Sequence, residues 1–217
     1  MNGFPFHKVI LLLEEYYGED VPALTRMASQ RRDPFLVLMA CLLSLRTKDE
    51  VTDQAVGRLL ARATHPQEVV AIPASELEKI IYPVGFYRNK ARVLREVSQT
   101  IIDSYKGNVP DSIDELLKLK GVGRKTANIV LTEGFQQPGI AVDTHVHRIS
   151  NRFGAVHTKM PDQTEKALRE LLPMKYWIRY NALLVTHGRR TCAPISPFCS
   201  RCAVVQYCGR VGVVKSR

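Results

Sequence analysis

The spacing of apolar residues predicts a chain built from helices. Apolar positions recur at helical spacing along most of the sequence, and no convincing segment alternates apolar and polar residues as a strand would. Helices are predicted over residues 9–17, 35–45, 47–62, 75–82, 91–105, 143–151, 162–172 and 177–186, with two more between residues 112 and 134. The fold is therefore predicted to be all-α.

Side chains that can cap a helix precede several of these segments. Asp33 stands before Pro34, and an N-cap carboxylate followed by proline begins many helices. The spacing of a capping box, in which Glu follows a capping residue by three positions, occurs at Thr47, Ser75, Ser112 and Asp162. The helix after Asp33 should be central and buried, because residues 35–45 are almost wholly apolar. Residues 83–90 are predicted to form a loop.

The segment 116–131 interrupts its helical spacing with Gly121-Val122-Gly123 and then resumes it. This pattern predicts two helices joined by a tight turn, an αα-hairpin. The glycines permit close approach of another molecule, and free N–H groups at the start of the second helix suit a phosphate. Lys125 stands in the first turn of that helix, where the helix dipole disfavours a charged amine. From these residues alone, Lys125 is either a nucleophile beside DNA or an ordinary surface lysine.

The charge of the chain adds a polyanionic partner to this picture. The 217 residues are 45% hydrophobic, which supports a real core, and carry a formal net charge of +10. From residue 171 to residue 217 there is no Asp or Glu, although the segment contains eight Lys and Arg residues. A basic segment without acids indicates a surface that faces phosphates, so nucleic acid is the simplest partner. The alternative is a basic enzyme with no such partner.

The sequence shows no signal-peptide architecture at its start and no uninterrupted apolar run of transmembrane length. We therefore expect no membrane association and a location in the reducing cytosol, at the nucleoid. Structural disulfides are rare in that compartment, so the five cysteines need another explanation. Cys41 lies within the apolar segment 35–45 and is predicted to be a core residue.

The other four cysteines form a cluster with the spacing C-x6-C-x2-C-x5-C in a loop-rich segment. They are Cys192, Cys199, Cys202 and Cys208. Four thiols this close together predict a metal site, and disulfides are the weaker alternative. Four thiolates suit either zinc or an iron–sulfur cluster, and their spacing alone leaves both open.

Three motifs together resemble the endonuclease III family of helix-hairpin-helix DNA glycosylases. They are LKGVGRKTA in the hairpin, VDTHVHR after it and the cysteine tail, in this order, so the resemblance extends from Phe35 to Cys208. It implies two helical lobes flanking a DNA groove and a C-terminal loop that holds a [4Fe-4S] cluster. The four clustered cysteines are the ligands that this resemblance implies. In the family the cluster is mainly structural and helps to hold a loop against DNA phosphates.

The resemblance also implies a reaction. The family cleaves the N-glycosidic bond of a damaged base, typically an oxidised pyrimidine, and then nicks the strand. Lys125 matches the catalytic lysine, whose neutral amine attacks the sugar and forms a Schiff base that permits β-elimination. We expect the helix N-terminus, the neighbouring Arg124 and partial burial to keep the amine neutral.

Asp143 matches the family's aspartate, which accepts or relays a proton and stabilises the cationic sugar. The connector 135–142 could span up to about 26 Å, which is enough to return Asp143 to the groove beside Lys125. The alternative is a plain helix N-cap. Both roles can coexist, because one carboxylate oxygen can cap the helix while the other faces the substrate.

Candidate DNA contacts come from four parts of the chain: the hairpin, the basic tail, the loop with Arg46 and the loop with Phe86. In the hairpin they are Gly121, Val122, Gly123 and Arg124, and in the basic tail they are Arg189, Arg190 and Arg201. Reaching a base inside duplex DNA requires flipping it out, and a side chain must then fill the gap. Phe86 matches a position that is usually an apolar leucine wedge in the family. Arg46 stands where the family usually has glutamine, which puts the usual preference for the opposite base in doubt.

The predicted organisation is a helical bundle of residues 23–136 and an iron–sulfur domain of residues 1–22 plus 137–217. The expected substrate is duplex DNA containing a damaged base or an abasic site, bound by a monomer. A mismatch-specific or adenine-specific glycosylase of the same superfamily is one alternative, although such relatives generally lack a lysine at position 125. A non-catalytic redox-sensing DNA-binding protein and a soluble electron carrier are the others.

Overall fold

The computed structural model describes residues 3–18 and 33–217, and the described residues form helices joined by turns. The helices are α1 (Phe6–Tyr17), α2 (Pro34–Ser44), α3 (Asp49–Leu60), α4 (Pro66–Ala71), α5 (Ala74–Ile81), α6 (Tyr87–Tyr105), α7 (Ile113–Leu116), α8 (Arg124–Ile129), α9 (Thr144–Phe153), α10 (Pro161–Leu171) and α11 (Trp177–Arg190). A π-helical turn, Val130–Gly134, continues α8, and single 3₁₀ turns occur at Met174–Tyr176, Cys199–Arg201 and Val205–Tyr207. The described part of the chain contains no strand, so the prediction of an all-α fold is confirmed.

The chain divides into two compact units. One contains residues 33–137 and the other contains residues 3–18 together with 138–217. Each unit has a hydrophobic core of its own. The division between Gln137 and Pro138 lies one residue from the predicted boundary, and the predicted boundary between residues 22 and 23 lies outside the described residues.

Helix α2 forms the centre of the core in the unit 33–137. Asp33 caps it as predicted, because Oδ1 accepts hydrogen bonds from the N–H groups of Phe35 at 2.8 Å and Leu36 at 3.2 Å. All side chains from residue 35 to residue 43 are buried. Helices α3, α6 and α8 and the π-helical turn pack against α2. The hairpin helix that carries Lys125 therefore rests on a helix whose residues 35–43 are all buried.

In the other unit, α11 is the central helix of the core. Helices α1 and α9 pack on it, and α10 packs on α9. Its core includes Tyr176 and Tyr180, each 1% exposed, and the hydroxyl of Tyr180 lies 3.1 Å from that of Ser150 on α9. Val204 and Cys192 belong to the same core, and the half-buried Cys202 and Cys208 pack against it. The cysteine segment is thus attached directly to folded helices.

Several predicted helix starts were wrong by a few residues. Lys48, not Thr47, occupies the N-cap of α3, and Pro73 rather than Ser75 precedes α5. Met160 rather than Asp162 precedes α10, because Pro161 takes the first helical position. The predicted loop 83–90 ends at Phe86, so that residues 87–90 form the first turn of α6.

Helix α4 was missed altogether. His65 is its N-cap, Pro66 takes its first position, and the Glu68 carboxylate accepts from the N–H groups of Thr64 at 2.6 Å and His65 at 3.1 Å. These bonds satisfy N–H groups at the helix start and lower the pKa of Glu68. Within the described residues, no helix is both long and apolar enough to cross a membrane.

Candidate active site and cysteine cluster

The predicted hairpin turn is anchored to the core by the side chain of Val122 and is exposed to solvent at Gly123. Gly121 has a φ of 78°, in the left-handed region that favours glycine. The side chain of Val122 is buried in the core, and its N–H donates to the carbonyl of Leu119 at 3.1 Å. Gly123 is exposed, and a Cβ added there would meet no atom within 4 Å. Another molecule's backbone can therefore approach this turn, with Val122 contributing only its main chain.

Lys125 lies in the first turn of α8, as predicted. Gly123 is the N-cap, and its carbonyl accepts the helical bond from Ala127 N–H at 2.9 Å. The expectation that Lys125 would be partly buried was wrong, because its side chain is exposed in the protein alone. Burial raises the pKa of the Cys41 thiol on α2 to about 12, and the charge of Lys125 acts in the opposite direction. The amine is thus a solvent-facing group close to α2.

Asp143 is the N-cap of α9, as the sequence predicted. Its Oδ1 accepts hydrogen bonds from the N–H groups of His145 and Val146, both at 2.8 Å. The residue is half-buried, so the carboxylate is held by the helix start and still reaches solvent. Both capping hydrogen bonds end on Oδ1, so Oδ2 takes no part in capping the helix. Lys125 and Asp143 belong to different units of the chain.

Arg46 and Phe86 lie in two turns that the fold brings together. Both have left-handed backbone conformations that are rare for residues other than glycine, with φ of 56° at Arg46 and 59° at Phe86. Phe86 is 63% exposed, and the guanidinium carbon of Arg46 lies 5.0 Å from the centroid of its ring. An open cavity of about 280 Å³ beside them is also lined by Gly121 of the hairpin. Phe86 is therefore not buried under its own loop.

The four clustered cysteines line one small cavity in the unit that contains α11. Cys192 is 9% exposed, and Cys199, Cys202 and Cys208 are half-buried. Burial raises the pKa of the Cys202 thiol to about 11, and the charges of the other three cysteines add to this shift. Burial likewise raises the pKa of Cys208. Thiolates here would repel one another, so they require a compensating cation.

The described residues contain no ready-made site for a single metal ion. No group of three or more His, Cys, Asp or Glu side chains in residues 3–18 and 33–217 converges closely enough to hold one ion. The cysteines surround a common cavity instead.

Sequence reasoning missed the residues that surround the cysteines. Arg152, 9% exposed on α9, donates from Nη1 to Cys192 Sγ at 3.3 Å and to the Ala193 carbonyl at 2.7 Å. His187 of α11 is 1% exposed, and its Nε2 lies 3.9 Å from Cys202 Sγ. Burial, with a smaller contribution from a nearby arginine, lowers the pKa of His187 to about 4. Neither residue belongs to a motif with recognisable spacing, so no pattern could have identified them.

The predicted tail arginines are all exposed. Arg189 and Arg190 end α11, and Arg201 donates from Nη2 to the Arg190 carbonyl at 3.0 Å. The guanidinium carbons of Arg201 and Arg217 each lie 4.0 Å from the centroid of the Phe198 ring. These contacts orient cationic side chains beside the cysteine segment.

Comparison with known proteins places this geometry in a family. Residues 39–174 match the profile of the HhH-GPD superfamily base excision DNA repair proteins. Endonuclease III of Thermotoga maritima is 46% identical over 197 residues, covering 91% of this chain and 92% of that protein. Endonuclease III of Bacillus subtilis is 38% identical, covering 81% of each chain. The structure of a trapped covalent intermediate of endonuclease III with DNA superposes with a TM-score of 0.82 at 35% identity, covering 93% of both chains.

The fold, the hairpin and the match over residues 39–174 define a helix-hairpin-helix protein of base excision DNA repair. Within that superfamily the chain belongs to the endonuclease III family of DNA glycosylases and apurinic/apyrimidinic lyases, as the resemblance in its motifs predicted.

Proposed function

We propose that this chain removes oxidised pyrimidines from duplex DNA and cleaves the strand at the resulting abasic site, with Lys125 as the nucleophile. The observation that carries the proposal is the hairpin. It presents an exposed lysine in the first turn of α8, directly after a glycine turn that another backbone can approach. A phosphate bound at that turn would place the adjacent sugar beside the amine.

Lys125 performs both chemical steps. Its neutral amine attacks C1′ of the sugar, the C1′–N bond to the base breaks, and the base departs with the bonding electrons and takes up a proton. Opening of the sugar ring gives a Schiff base between C1′ and Nζ. Loss of a proton from C2′ then expels the 3′ phosphate by β-elimination, so no external oxidant or reductant is needed. The exposed amine of the protein alone becomes desolvated only when DNA covers it.

Asp143 supports the reaction from the start of α9. Oδ1 is committed to the helix N–H groups, and these two bonds fix the position of the carboxylate. Oδ2 accepts the proton that Lys125 must lose and stabilises positive charge on the sugar.

The remaining candidate residues bind and distort the substrate. The main chain of residues 121–123 and the side chain of Arg124 contact phosphates of the strand that carries the lesion. Phe86 enters the stack when the base is flipped out, and Arg46 fills the gap and meets the orphan base. Arg189, Arg190 and Arg201 contact phosphates further along the duplex. A single copy of the chain suffices for all of these contacts.

The four cysteines fit a [4Fe-4S] cluster. A four-iron cluster takes one cysteine for each iron, so its ligands need only surround a common cavity, and these four do so. N–H groups of Arg152 and Arg210 point at Cys192 Sγ (3.3 Å) and Cys208 Sγ (3.4 Å), as suits thiolates. When bound, the cluster supplies the positive charge that the buried thiolates require. It would thereby hold the segment that carries Arg201 in place.

Two other functions make different predictions. A mismatch-specific or adenine-specific glycosylase would excise an undamaged base and would have no need of an amine nucleophile at position 125. A non-catalytic redox-sensing protein would bind DNA and cleave nothing. Lys125 in the first turn of α8 favours the lyase over both.

A panel of duplexes tests the proposal. Each carries one modified site: an oxidised pyrimidine, an oxidised purine, a mispaired thymine, a mispaired adenine or an abasic site. We expect base release and strand cleavage on the oxidised pyrimidine, and strand cleavage alone on the abasic site. Release of mispaired adenine or thymine in preference to the oxidised pyrimidine would contradict the proposed substrate, and failure to cleave at the abasic site would contradict the lyase.

A further inference from the structure

Lys90 is a buried lysine outside the proposed catalytic centre. It lies in the first turn of α6 and is 8% exposed, whereas its neighbours Arg88 and Arg92 on the same helix are exposed. Burial of a charged amine costs free energy unless each N–H finds an acceptor. Burial lowers the pKa of Lys90 to about 8. Retaining lysine in this position therefore needs a reason beyond packing.

The three N–H groups of the ammonium match three acceptors. Nζ lies 2.6 Å from the carbonyl of Leu43, 2.6 Å from that of Leu45 and 2.8 Å from Thr47 Oγ1. All three acceptors lie at the end of α2 or in the turn that follows it. Lys90 thus fastens the first turn of α6 to the turn that carries Arg46. An apolar side chain of the same size could fill the space and would make none of these bonds.

Thr47 extends this connection to the second turn. Its Oγ1 also accepts a hydrogen bond from the N–H of Gly85 at 3.0 Å. The backbones of the two turns are in close contact, because a Cβ on Gly85 would lie 2.7 Å from the carbonyl oxygen of Arg46. Only glycine allows that approach. The residues before Phe86 and those around Arg46 are therefore joined through one hydroxyl.

The side chains of Arg46 and Phe86, at the tips of the two turns, are exposed, whereas the parts of the turns closer to the core are held by these hydrogen bonds. Arg46 and Phe86 each hold a left-handed backbone conformation, which is unfavourable for a residue other than glycine. Such conformations persist when the surrounding structure determines them, and here the surrounding structure is the network of Lys90 and Thr47. Their side chains then meet with the guanidinium over the ring.

We propose that Lys90 and Thr47 are positioning residues that hold the Arg46 turn and the Phe86 turn together as one preformed wedge for base extrusion. The inference rests on the proposed function, because it assigns the two turns to the flipping step. Neither residue needs to contact DNA. Their effect should therefore appear where a stacked base must be displaced and be absent where the base is already missing.

Thr47 offers a matched pair of variants. Thr47→Val keeps the shape of the side chain and removes the hydroxyl, whereas Thr47→Ser keeps the hydroxyl and removes a methyl group. Lys90→Met removes the three donors at similar length. Single-turnover rates are measured on a duplex with an oxidised pyrimidine and on the same duplex with a preformed abasic site. Fluorescence of 2-aminopurine opposite the lesion reports the opening of the stack, and thermal unfolding reports folding.

We expect Thr47→Val to slow base release about tenfold and to reduce the 2-aminopurine signal, because the two hydrogen bonds that the hydroxyl accepts are lost. Cleavage at the preformed abasic site should change less than twofold, and Thr47→Ser should match wild type on both substrates. Lys90→Met should show the same selectivity if its folding is intact. Equal losses on both substrates, or no loss on either, would overturn the wedge role. Wild type that is inactive on both duplexes would instead overturn the proposed function.

Discussion

The guanidinium of Arg46 lies over the ring of Phe86, with 5.0 Å between the guanidinium carbon and the ring centroid. The two residues come from separate turns, one after α2 and the other before α6. Their contact turns two candidate DNA residues into a single exposed feature. Arg46 contributes charge and hydrogen-bond donors, and Phe86 contributes an apolar face that is 63% exposed.

Phe86→Ala should slow release of an oxidised pyrimidine from duplex DNA by about tenfold or more, because the wedge loses the ring that enters the base stack. Phe86→Leu should retain most of the activity, since leucine is also an apolar wedge. The measurement is single-turnover base release, compared with cleavage at a preformed abasic site. Equal activity of Phe86→Ala and wild type on the damaged duplex would exclude Phe86 from the flipping step.

Arg46→Gln should change the preference for the base opposite the lesion. Arginine presents only donors, whereas glutamine presents a donor and an acceptor, so the two side chains suit different base edges. Rates of base release are compared with adenine, guanine, cytosine and thymine in the opposite strand. The account predicts a reordering of these four rates in Arg46→Gln. An unchanged order would show that Arg46 does not contact the orphan base.

The tail arginines should contribute to affinity through phosphates. Replacing Arg189, Arg190 or Arg201 with glutamine should each reduce the slope of log K against log salt by about 0.9 for a lost phosphate contact. Arg62→Gln is a suitable control, because Arg62 is an exposed cation paired with Glu76 at 3.3 Å and has no proposed DNA contact. A control slope that falls as much as those of the tail variants would remove the evidence for specific contacts.

Glu133 should make stability depend on pH. Burial raises its pKa from the ordinary 4.5 to about 7, so the folded state binds a proton more tightly than the unfolded state does. Stability of the wild type should therefore decrease as pH rises from about 4.5 to 7. Glu133→Gln has no such cost, and its stability relative to wild type should increase by about 1–3 kcal/mol across this window.

The matched control for this titration is Glu115→Gln. Hydrogen bonds from Lys118 and Tyr105 lower the pKa of Glu115, so its carboxylate is favoured in the folded state. That variant should become less stable than wild type once the pH is above the range in which the carboxyl group titrates. Urea unfolding at several pH values measures both effects. The same sign of change in the two variants would contradict the assignment for Glu133.

Iron should be essential to the tail segment. Anaerobically purified protein should be coloured and contain four irons, and Cys202→Ser should lose the colour. Loss of the cluster should lower the melting temperature by roughly 5 °C or more and weaken duplex binding, because the segment bearing Arg201 loses its anchor. Colourless wild-type protein with stoichiometric zinc would refute the iron–sulfur assignment.

The fold could be predicted where one local signal acted without competition. Asp33, Ser112 and Asp143 each cap the helix that follows them, and Pro34 itself takes the first position of the helix after Asp33. Thr47 has the same capping spacing, but its hydroxyl bonds Lys90 and Gly85 instead. The choice between those partners is decided by contacts from distant parts of the chain. No local pattern contains that information.

The residues of the candidate site likewise fall into those that a local motif predicts and those that only the tertiary structure identifies. Lys125, Asp143 and the four cysteines stand in motifs, so their chemistry could be anticipated from residue type and spacing. Arg152 and His187 lie beside the cysteines, and Lys90 lies against the turn that carries Arg46, only because the tertiary structure buries them there. The exposure of the Lys125 side chain could not be predicted from the sequence either, because it depends on how α8 packs against α2.

The central claim is that Lys125 forms a covalent bond with the sugar. Borohydride reduces a Schiff base to a stable amine, so wild type should be trapped on a duplex that carries an oxidised pyrimidine. Lys120→Ala serves as the control, because Lys120 belongs to the same hairpin and is paired with Glu96 at 2.5 Å. The account predicts a covalent adduct with wild type and Lys120→Ala and none with Lys125→Ala. An undiminished adduct with Lys125→Ala, or no adduct with wild type, would contradict it.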